Sequence, residues 1–368
     1  MNITSLSLTN FRCFPQLDIT FDAAITLIEG DNGSGKTSIL EALHYCCYLR
    51  SFRTKTPTQL ISFEHQAFCL KLSGSANDEK WQLTAGVSGE KKRIVINEKP
   101  VNSYQTILDR YRVITITEDD LDLLRGYPAT RRSFLDTILF MMNPAYGRMV
   151  REYEKMIRQR NSLLEKSVID QITYDAWTEP CKELSQSIQA QRSQVVIDLE
   201  KEVNQLLGAQ MVVCTHKAKT WHELSFERER AAQKTLYGAH LDDVEIIYSN
   251  QYARHFASRG QQKMLAIIFK MAALKLLNKP ALVLIDDFMT DLDHHRIEYL
   301  LAILTAGHHQ LVITCPLRES HLIKLLQKYS IKRVQLQQTS NVTEKNEEMH
   351  ENSIITNPNI HSEPVSTL

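Results

Sequence analysis

Between residues 3 and 117, apolar side chains recur at alternate positions or in short runs: ITSLSL, QLDITF, ITLIE, AFCLKLSG, WQLTAGV, RIVINE and RVITIT. Clusters of Gly, Asn and Asp punctuate these runs, which predicts short strands and a sheet-rich lobe. Thr117 is placed to cap a short helix, EDDLDLLR, that Gly126 and Pro128 stop. From Thr130 the period lengthens to about 3.6 residues. Tyr146, Met149, Val150, Tyr153, Met156, Ile157, Leu163 and Leu164 share one helical face, while Arg148, Arg151, Lys155 and Arg158 lie largely elsewhere. Asn143 and Pro144 separate that helix from TRRSFLDTILFMM, and a second long helix is expected from about Tyr174 to Leu207.

Strand-like MVVCTHK then returns the chain to sheet. The last third alternates: a helix from Arg259 to Leu277, the strand ALVLID, a helix near His294 to Leu304, and the strand QLVITC. Such a βαβ pattern implies a parallel sheet. After KRVQLQ the chain is polar and aperiodic, with one Lys against five Glu from Gln337 onward, and a disordered tail is expected. The resulting map is a sheet-rich part (1–118), an inserted helical lobe (119–210), a second α/β part (211–336) and the tail (337–368).

Composition changes this picture little. Apolar residues make up 43% and charged residues 23%, as in ordinary folded domains. No window approaches the ~20 apolar residues of a membrane span, and MNITSLSLTN lacks the layout of a signal peptide, so a cytoplasmic location is expected. The seven cysteines show no C-x-x-C spacing, which argues against a zinc site or a disulfide framework. Formal net charge is zero, so nucleic-acid affinity has to come from local basic surface.

The chemistry begins at GDNGSGKTS, comprising Gly30, Asp31, Asn32, Gly33, Ser34, Gly35, Lys36, Thr37 and Ser38. It fits G-x-x-x-x-G-K-[ST] in the strand–loop–helix context the motif requires. Gly33 and Gly35 let backbone N–H groups converge on phosphate oxygens at a helix N-terminus, whose partial charge favours an anion. Lys36 is placed for the β and γ phosphates of ATP, and the Thr37 hydroxyl for Mg²⁺. A carboxylate at the end of a neighbouring strand completes such a site. ALVLIDD supplies Asp286 as Mg²⁺ partner and Asp287 to position or activate a water. SRGQQKM contributes Ser258, Gly260 and Gln261; Ser258-x-x-Gln261 is also a capping box, while Gly260 permits close approach of a backbone or phosphate. Phosphate loop, then Ser-x-Gly-Gln, then a strand ending in Asp-Asp, then Asp291-Leu292-Asp293, is the layout of an ATP-binding cassette ATPase head, an α/β P-loop NTPase fold, here with a compact helical insert.

These residues resemble the RecF family of bacterial recombination proteins, relatives of Rad50 and SMC heads. The likeness rests on SLTNFRCF, GDNGSGKTSILEAL, RSFRT, EDDLDLLRGYPATRRSFLD, YEKMIRQRNSLL, GAHLDDV, SRGQQKM and LIDDFMTDLD. It implies an ATP-dependent homodimer in which the phosphate loop of one subunit faces the Ser258–Gly260 segment of the other, with Asp291 to Asp293 along the seam. It further implies binding to single-stranded and gapped DNA, and action with RecR and RecO in loading RecA during repair, replication restart and SOS induction. Two positions depart from the family pattern: Leu241 stands where Arg is usual, and Cys315-Pro316 follows Thr314 where the family usually continues with Thr, at the place of the transporters' sensing His. Asp287 stands where transporters carry Glu, one methylene longer, which predicts slow hydrolysis.

Arg50, Arg53 and Lys55 lie in a stretch without acidic residues, and residues 146–166 carry six basic against three acidic side chains, among them Arg151, Lys155 and Arg158. Together with Arg131 and Arg132 these form the expected DNA surface, making salt-dependent and largely sequence-independent phosphate contacts. Tyr174, Trp177 and the Met-rich face are expected in the core. A transporter subunit is disfavoured by the missing His, and a helical insert of this length excludes an SMC-type arm. A P-loop phosphotransferase, or a cassette ATPase with a non-DNA partner, is the competing class. The pairs His294-His295 and His308-His309 lack further ligands at metal spacing.

Overall fold

The computed structural model describes residues 2–76, 79–89, 91–101, 113–166, 171–221, 226–278, 281–307, 309–317, 320–327, 329–336 and 342–346. The described residues form two compact units, one from residues 2–119 together with those from 281 to 346, the other from Asp120–Asn278. The second unit therefore runs past residue 210, where the helical pattern of the sequence ends, and takes in the Ser258 segment.

The first unit begins with β1 (Asn2–Phe11), β2 (Phe14–Thr20), β3 (Ile25–Gly30), α1 (Lys36–Tyr48), β4 (Ala67–Ala76), β5 (Glu79–Ser88), β6 (Lys91–Ile96), β7 (Lys99–Pro100) and β8 (Val113–Ile116). Six of these strands make an antiparallel sheet in the order β2-β1-β4-β5-β6-β7. The alternation read from the sequence survives as a buried face, with Leu6, Leu8, Leu70, Leu72 and Leu83 at 0% exposure. Helix α1 is buried from Ser38 through Tyr48, the pattern of a helix enclosed on all sides. It shares one core with the antiparallel sheet and with Ile28, Leu284, Val312 and Val334 of a second sheet.

In the second unit, α2 (Pro128–Met142) starts with proline at its first position, where the missing N–H costs nothing. Helix α3 (Pro144–Leu164) is capped by Asn143, whose side chain accepts from the Ala145 N–H at 3.0 Å. Helix α4 (Gln171–Leu207) spans 37 residues. Strands β9 (Val212–Lys217), β10 (Asp243–Tyr248) and β11 (Gln251–Tyr252) form a small antiparallel sheet; β10 and β11 are absent from the sequence reading, which took this region as a motif without assigning an element. Helix α5 (Arg259–Leu277) starts at the expected capping box: Ser258 Oγ accepts from Gln261 N–H, and Gln261 Oε1 accepts from Ser258 N–H at 2.8 Å. Tyr174 is buried as expected, but Trp177 is 37% exposed and stands at the surface.

The chain then returns to the first unit through β12 (Leu282–Ile285), α6 (His294–Ala306), β13 (Gln310–Cys315), β14 (Ile331–Leu336) and β15 (Val342–Asn346). The second sheet has the order β15-β14-β3-β13-β12-β8, parallel throughout except β15, which pairs antiparallel with β14. Strands β3, β8, β12 and β13 are buried along their whole length, as a parallel sheet covered on both faces requires. The expected tail thus contributes one edge strand, because VTEKN can satisfy its backbone against the free edge of β14 whatever its polarity. The other tail residues lie outside those described.

Candidate nucleotide site

The phosphate loop joins β3 to α1. Gly33 and Gly35 have φ of +82° and +94°, in the left-handed region that L side chains rarely adopt. Beyond that conformation, Gly35 has no room for a side chain: a Cβ there would lie 2.3 Å from Phe14 Cζ and 2.8 Å from Cys13 Sγ. At Gly33 nothing lies within 4 Å of the same position, so the loop presents open space there. Lys36 Nζ donates to the Gly30 carbonyl at 2.7 Å and to the Asp31 carbonyl at 3.0 Å, bracing the loop from inside. Ser34 Oγ is buried and has no hydrogen-bond partner. Glycines at positive φ, a lysine at the loop and an unsatisfied buried hydroxyl at a helix N-terminus fit a phosphate-bearing ligand.

The parallel sheet brings the carboxylates to this loop. Asp286 follows β12, and Thr37 Oγ1 lies 2.9 Å and 3.1 Å from its two carboxylate oxygens, across 249 residues of sequence. Thr314, at 0% exposure on β13, donates its hydroxyl hydrogen to Asp286 Oδ1 at 2.8 Å. The same hydroxyl accepts from the Asp287 N–H at 2.8 Å, and Asp286 N–H donates to the Ile116 carbonyl of β8. Asp287 is exposed and has φ +50°. A threonine hydroxyl and a carboxylate at hydrogen-bond distance are the hard oxygen ligands Mg²⁺ takes, one or two from protein and the rest from water or phosphate. No group of three or more His, Cys, Asp or Glu among the described residues could hold a metal alone.

Behind the loop lies an ion pair that the sequence reading missed. Arg12 makes a bidentate pair with Glu41 of α1, at 2.8 Å and 2.7 Å, and Ser51 Oγ also donates to Glu41, which is fully buried. The segments SLTNFRCF, GDNGSGKTSILEAL and RSFRT thus meet at one carboxylate.

Of the expected DNA-contacting residues, Arg50, Lys55, Arg151, Lys155 and Arg158 are exposed. Arg53 is also exposed, 3.8 Å from Glu41, and Arg50 lies over the Tyr48 ring at 5.6 Å. Lys91, Lys92 and Arg93 of β6, not singled out in the sequence, are exposed as well, and Lys92 Nζ lies 3.4 Å from the Leu49 carbonyl, next to Arg50 in the chain. Arg131 must be corrected: it is 4% exposed, forks onto Asp243 at 2.7 Å and 3.1 Å, and donates to the Gly126 carbonyl at 3.0 Å. Arg132 is half-buried, donating to the Asp242 carbonyl at 2.7 Å. Arg160, counted among the basic residues of α3, is likewise internal: it pairs with buried Glu229 and packs against Tyr174 and Trp221.

Asp242 is the centre of that interior. It receives Gln189 Nε2 at 2.8 Å, the Lys219 N–H at 2.9 Å and Arg192 Nη1 at 3.1 Å, and lies 3.3 Å from His216 Nε2. Burial alone would raise its carboxyl, but the bonds from His216, Lys219 and Gln189 and the Arg192 charge outweigh it and hold the group below its ordinary value. Arg192 also forks onto Asp136, at 2.9 Å for each bond.

A family model described as the RecF/RecN/SMC N terminal domain matches residues 2–341. The DNA replication and repair protein RecF of Chlorobium phaeobacteroides is 30% identical over 346 residues, covering 85% of this chain and 95% of that protein. Its counterpart in Cytophaga hutchinsonii is 28% identical over 321 residues, 82% and 85% of the two chains. Among solved structures, the recombination mediator protein RecF-ATPrS in the RecFOR pathway superposes with a TM-score of 0.78 at 21% identity, covering 93% of this chain and 98% of that one. An SmcHead bound to the C-winged helix domain of ScpA gives a TM-score of 0.56 at 16% identity, covering 94% and 97%. With the fold of an ATP-binding cassette ATPase head and these relatives along most of its length, the chain belongs to the RecF family.

Proposed function

We propose that this protein is an ATP-dependent DNA-binding protein of recombinational repair. It engages single-stranded and gapped DNA, dimerises on ATP, and acts with RecO and RecR to help RecA load at gaps, supporting replication restart and the SOS response. The observation that carries the nucleotide half is the contact of Thr37 with Asp286, which joins the phosphate loop to the carboxylate strand. Gly33, Gly35 and Lys36 would hold the phosphates of ATP, and Thr37 and Asp286 the Mg²⁺. Bound ATP–Mg²⁺ supplies a cleavable phosphoanhydride whose presence or absence distinguishes two states of the protein. Exposed Asp287 orients water, and its short side chain keeps turnover slow, as suits a switch.

The Ser258–Gln261 segment belongs to the second unit, with Ser258 and Gln261 bonded to each other in the capping box and Ser258 at the surface. In this reading it completes the nucleotide site of a second copy. Exposed Arg50, Arg53, Lys55, Arg151, Lys155 and Arg158 supply DNA phosphate contacts, with Lys91, Lys92 and Arg93 added to them. Sedimentation of the full chain with and without ATP and gapped DNA tests the scheme: a monomer that becomes a dimer only with ATP, and co-sediments with DNA, supports it. A monomer under every condition overturns it.

A further inference from the structure

We infer that Thr314 is a positioning residue for ATP hydrolysis, acting through Asp286 and Asp287; the inference rests on the nucleotide site proposed above. One buried side chain serves both carboxylate-bearing residues. Its hydroxyl gives its only hydrogen to Asp286 Oδ1 at 2.8 Å, and its oxygen accepts from the Asp287 N–H at 2.8 Å. Its backbone carbonyl accepts from the Phe288 N–H at 3.3 Å. Three successive residues after β12 are therefore tied to one residue of β13.

The parallel register explains why. Ile285 pairs with Ile313, so Thr314 stands level with Asp286 just where β12 ends and regular pairing stops. Beyond that point Asp287 turns to φ +50°, a conformation Asp adopts more readily than most side chains. The bond from Asp287 N–H to Thr314 Oγ1 fixes the turn that aims the exposed carboxylate. Asp286 is meanwhile held between two hydroxyls, Thr37 from the phosphate loop and Thr314 from the sheet. Were Thr37 to help hold Mg²⁺, the Thr314 bond would still orient the carboxylate. Thr314 sits too deep to touch a nucleotide, at 0% exposure, and its effect reaches the reaction only through these neighbours.

Thr314→Val keeps the shape and removes the hydroxyl; Thr314→Ser keeps the hydroxyl. The experiment measures fluorescent-ATP affinity and single-turnover hydrolysis on full-length wild type and both variants, with thermal unfolding alongside. Thr314→Val is expected to bind ATP within about threefold of wild type while hydrolysis slows about 10- to 100-fold, the effect of a misplaced reacting group. Thr314→Ser is expected to hydrolyse within about threefold of wild type. Wild-type rates in Thr314→Val, or equal slowing in Thr314→Ser, would overturn the inference and leave the nucleotide site standing. A wild-type chain that binds no ATP would overturn both.

Discussion

Replacing Arg131 by Met separates structural from DNA-binding arginines. The guanidinium makes two charge-assisted bonds to Asp243 and a third to the Gly126 carbonyl, with 5% of the side chain exposed. Met fills the space of the stem but leaves these acceptors unpaired. Asp243 is 32% exposed and keeps the bond from the Val244 N–H, so water can partly rehydrate it. The cost is therefore about 2–3 kcal/mol, below the 3–5 kcal/mol of a fully buried broken pair. That corresponds to about a 30- to 140-fold fall in the folded-to-unfolded ratio of the second unit. For a unit of this size the melting temperature should drop by about 4–12 °C. Fluorescence anisotropy with labelled gapped DNA, at a temperature where both proteins are folded, should give unchanged affinity and salt slope. Arg158→Glu, an exposed comparator, should show the reverse: unchanged melting, weaker binding and a salt slope reduced by about one to two contacts. If Arg131→Met weakened DNA binding tenfold while melting like wild type, assigning Arg131 to the interior would be wrong.

Two further perturbations probe the nucleotide loop and the buried network. Gly35→Ala forces a Cβ into Phe14 at a left-handed φ, and should abolish ATP binding in a titration with labelled nucleotide; Gly33→Ala, with open space at the same position, should perturb thermal stability less. Equal melting losses at the two glycines would refute the close-packing reading of Gly35. His240 is held below its ordinary pKa chiefly by burial, with the Arg132 charge adding to the effect. The unfolded chain then binds more protons between the folded pKa and about 6.5, so acidification through that window destabilises the second unit, while above it His240 contributes no pH dependence. Urea unfolding at pH 7.5 and 5.5 should show a smaller pH-linked loss in His240→Gln than in wild type, and equal losses would remove His240 as a source.

Local chemistry was legible in the sequence where the constraint is itself local. A glycine-rich turn between strand and helix, a lysine and threonine at the first turn of that helix, and a capping box all involve residues within a few positions of one another, and all are present as read. Strand periodicity also carried through, because burial on one face acts residue by residue along each strand. The fate of a basic side chain was not legible. Arg131, Arg158 and Arg160 have the same charge and lie in similar helical runs, yet Arg131 meets Asp243 across 112 residues and Arg160 meets Glu229 across 69, while Arg158 faces solvent. Only the tertiary fold decides which arginine has a carboxylate waiting for it. β10 escaped notice for a related reason: GAHLDDV read only as a motif, whereas Asp243 opens the strand, with Asp242 buried just before it and Asp243 paired to Arg131.

This placement alters how the family motifs should be interpreted. GDNGSGKTS and LIDD meet around a candidate ligand site, whereas RRSFLD and GAHLDD meet each other: Asp136 and Asp242 share Arg192, and Arg131 and Asp243 pair. Buried polar groups tied this densely are costly to change singly, since each loss strands a partner in low dielectric. Their place in this fold is therefore explained without direct contact with nucleotide or DNA. The departure at Leu241 fits the same logic. Its side chain is 38% exposed, while the network bonds are made by its neighbours Ala239, His240, Asp242 and Asp243. Leu241 itself lies at the surface, where its side chain is presented to solvent.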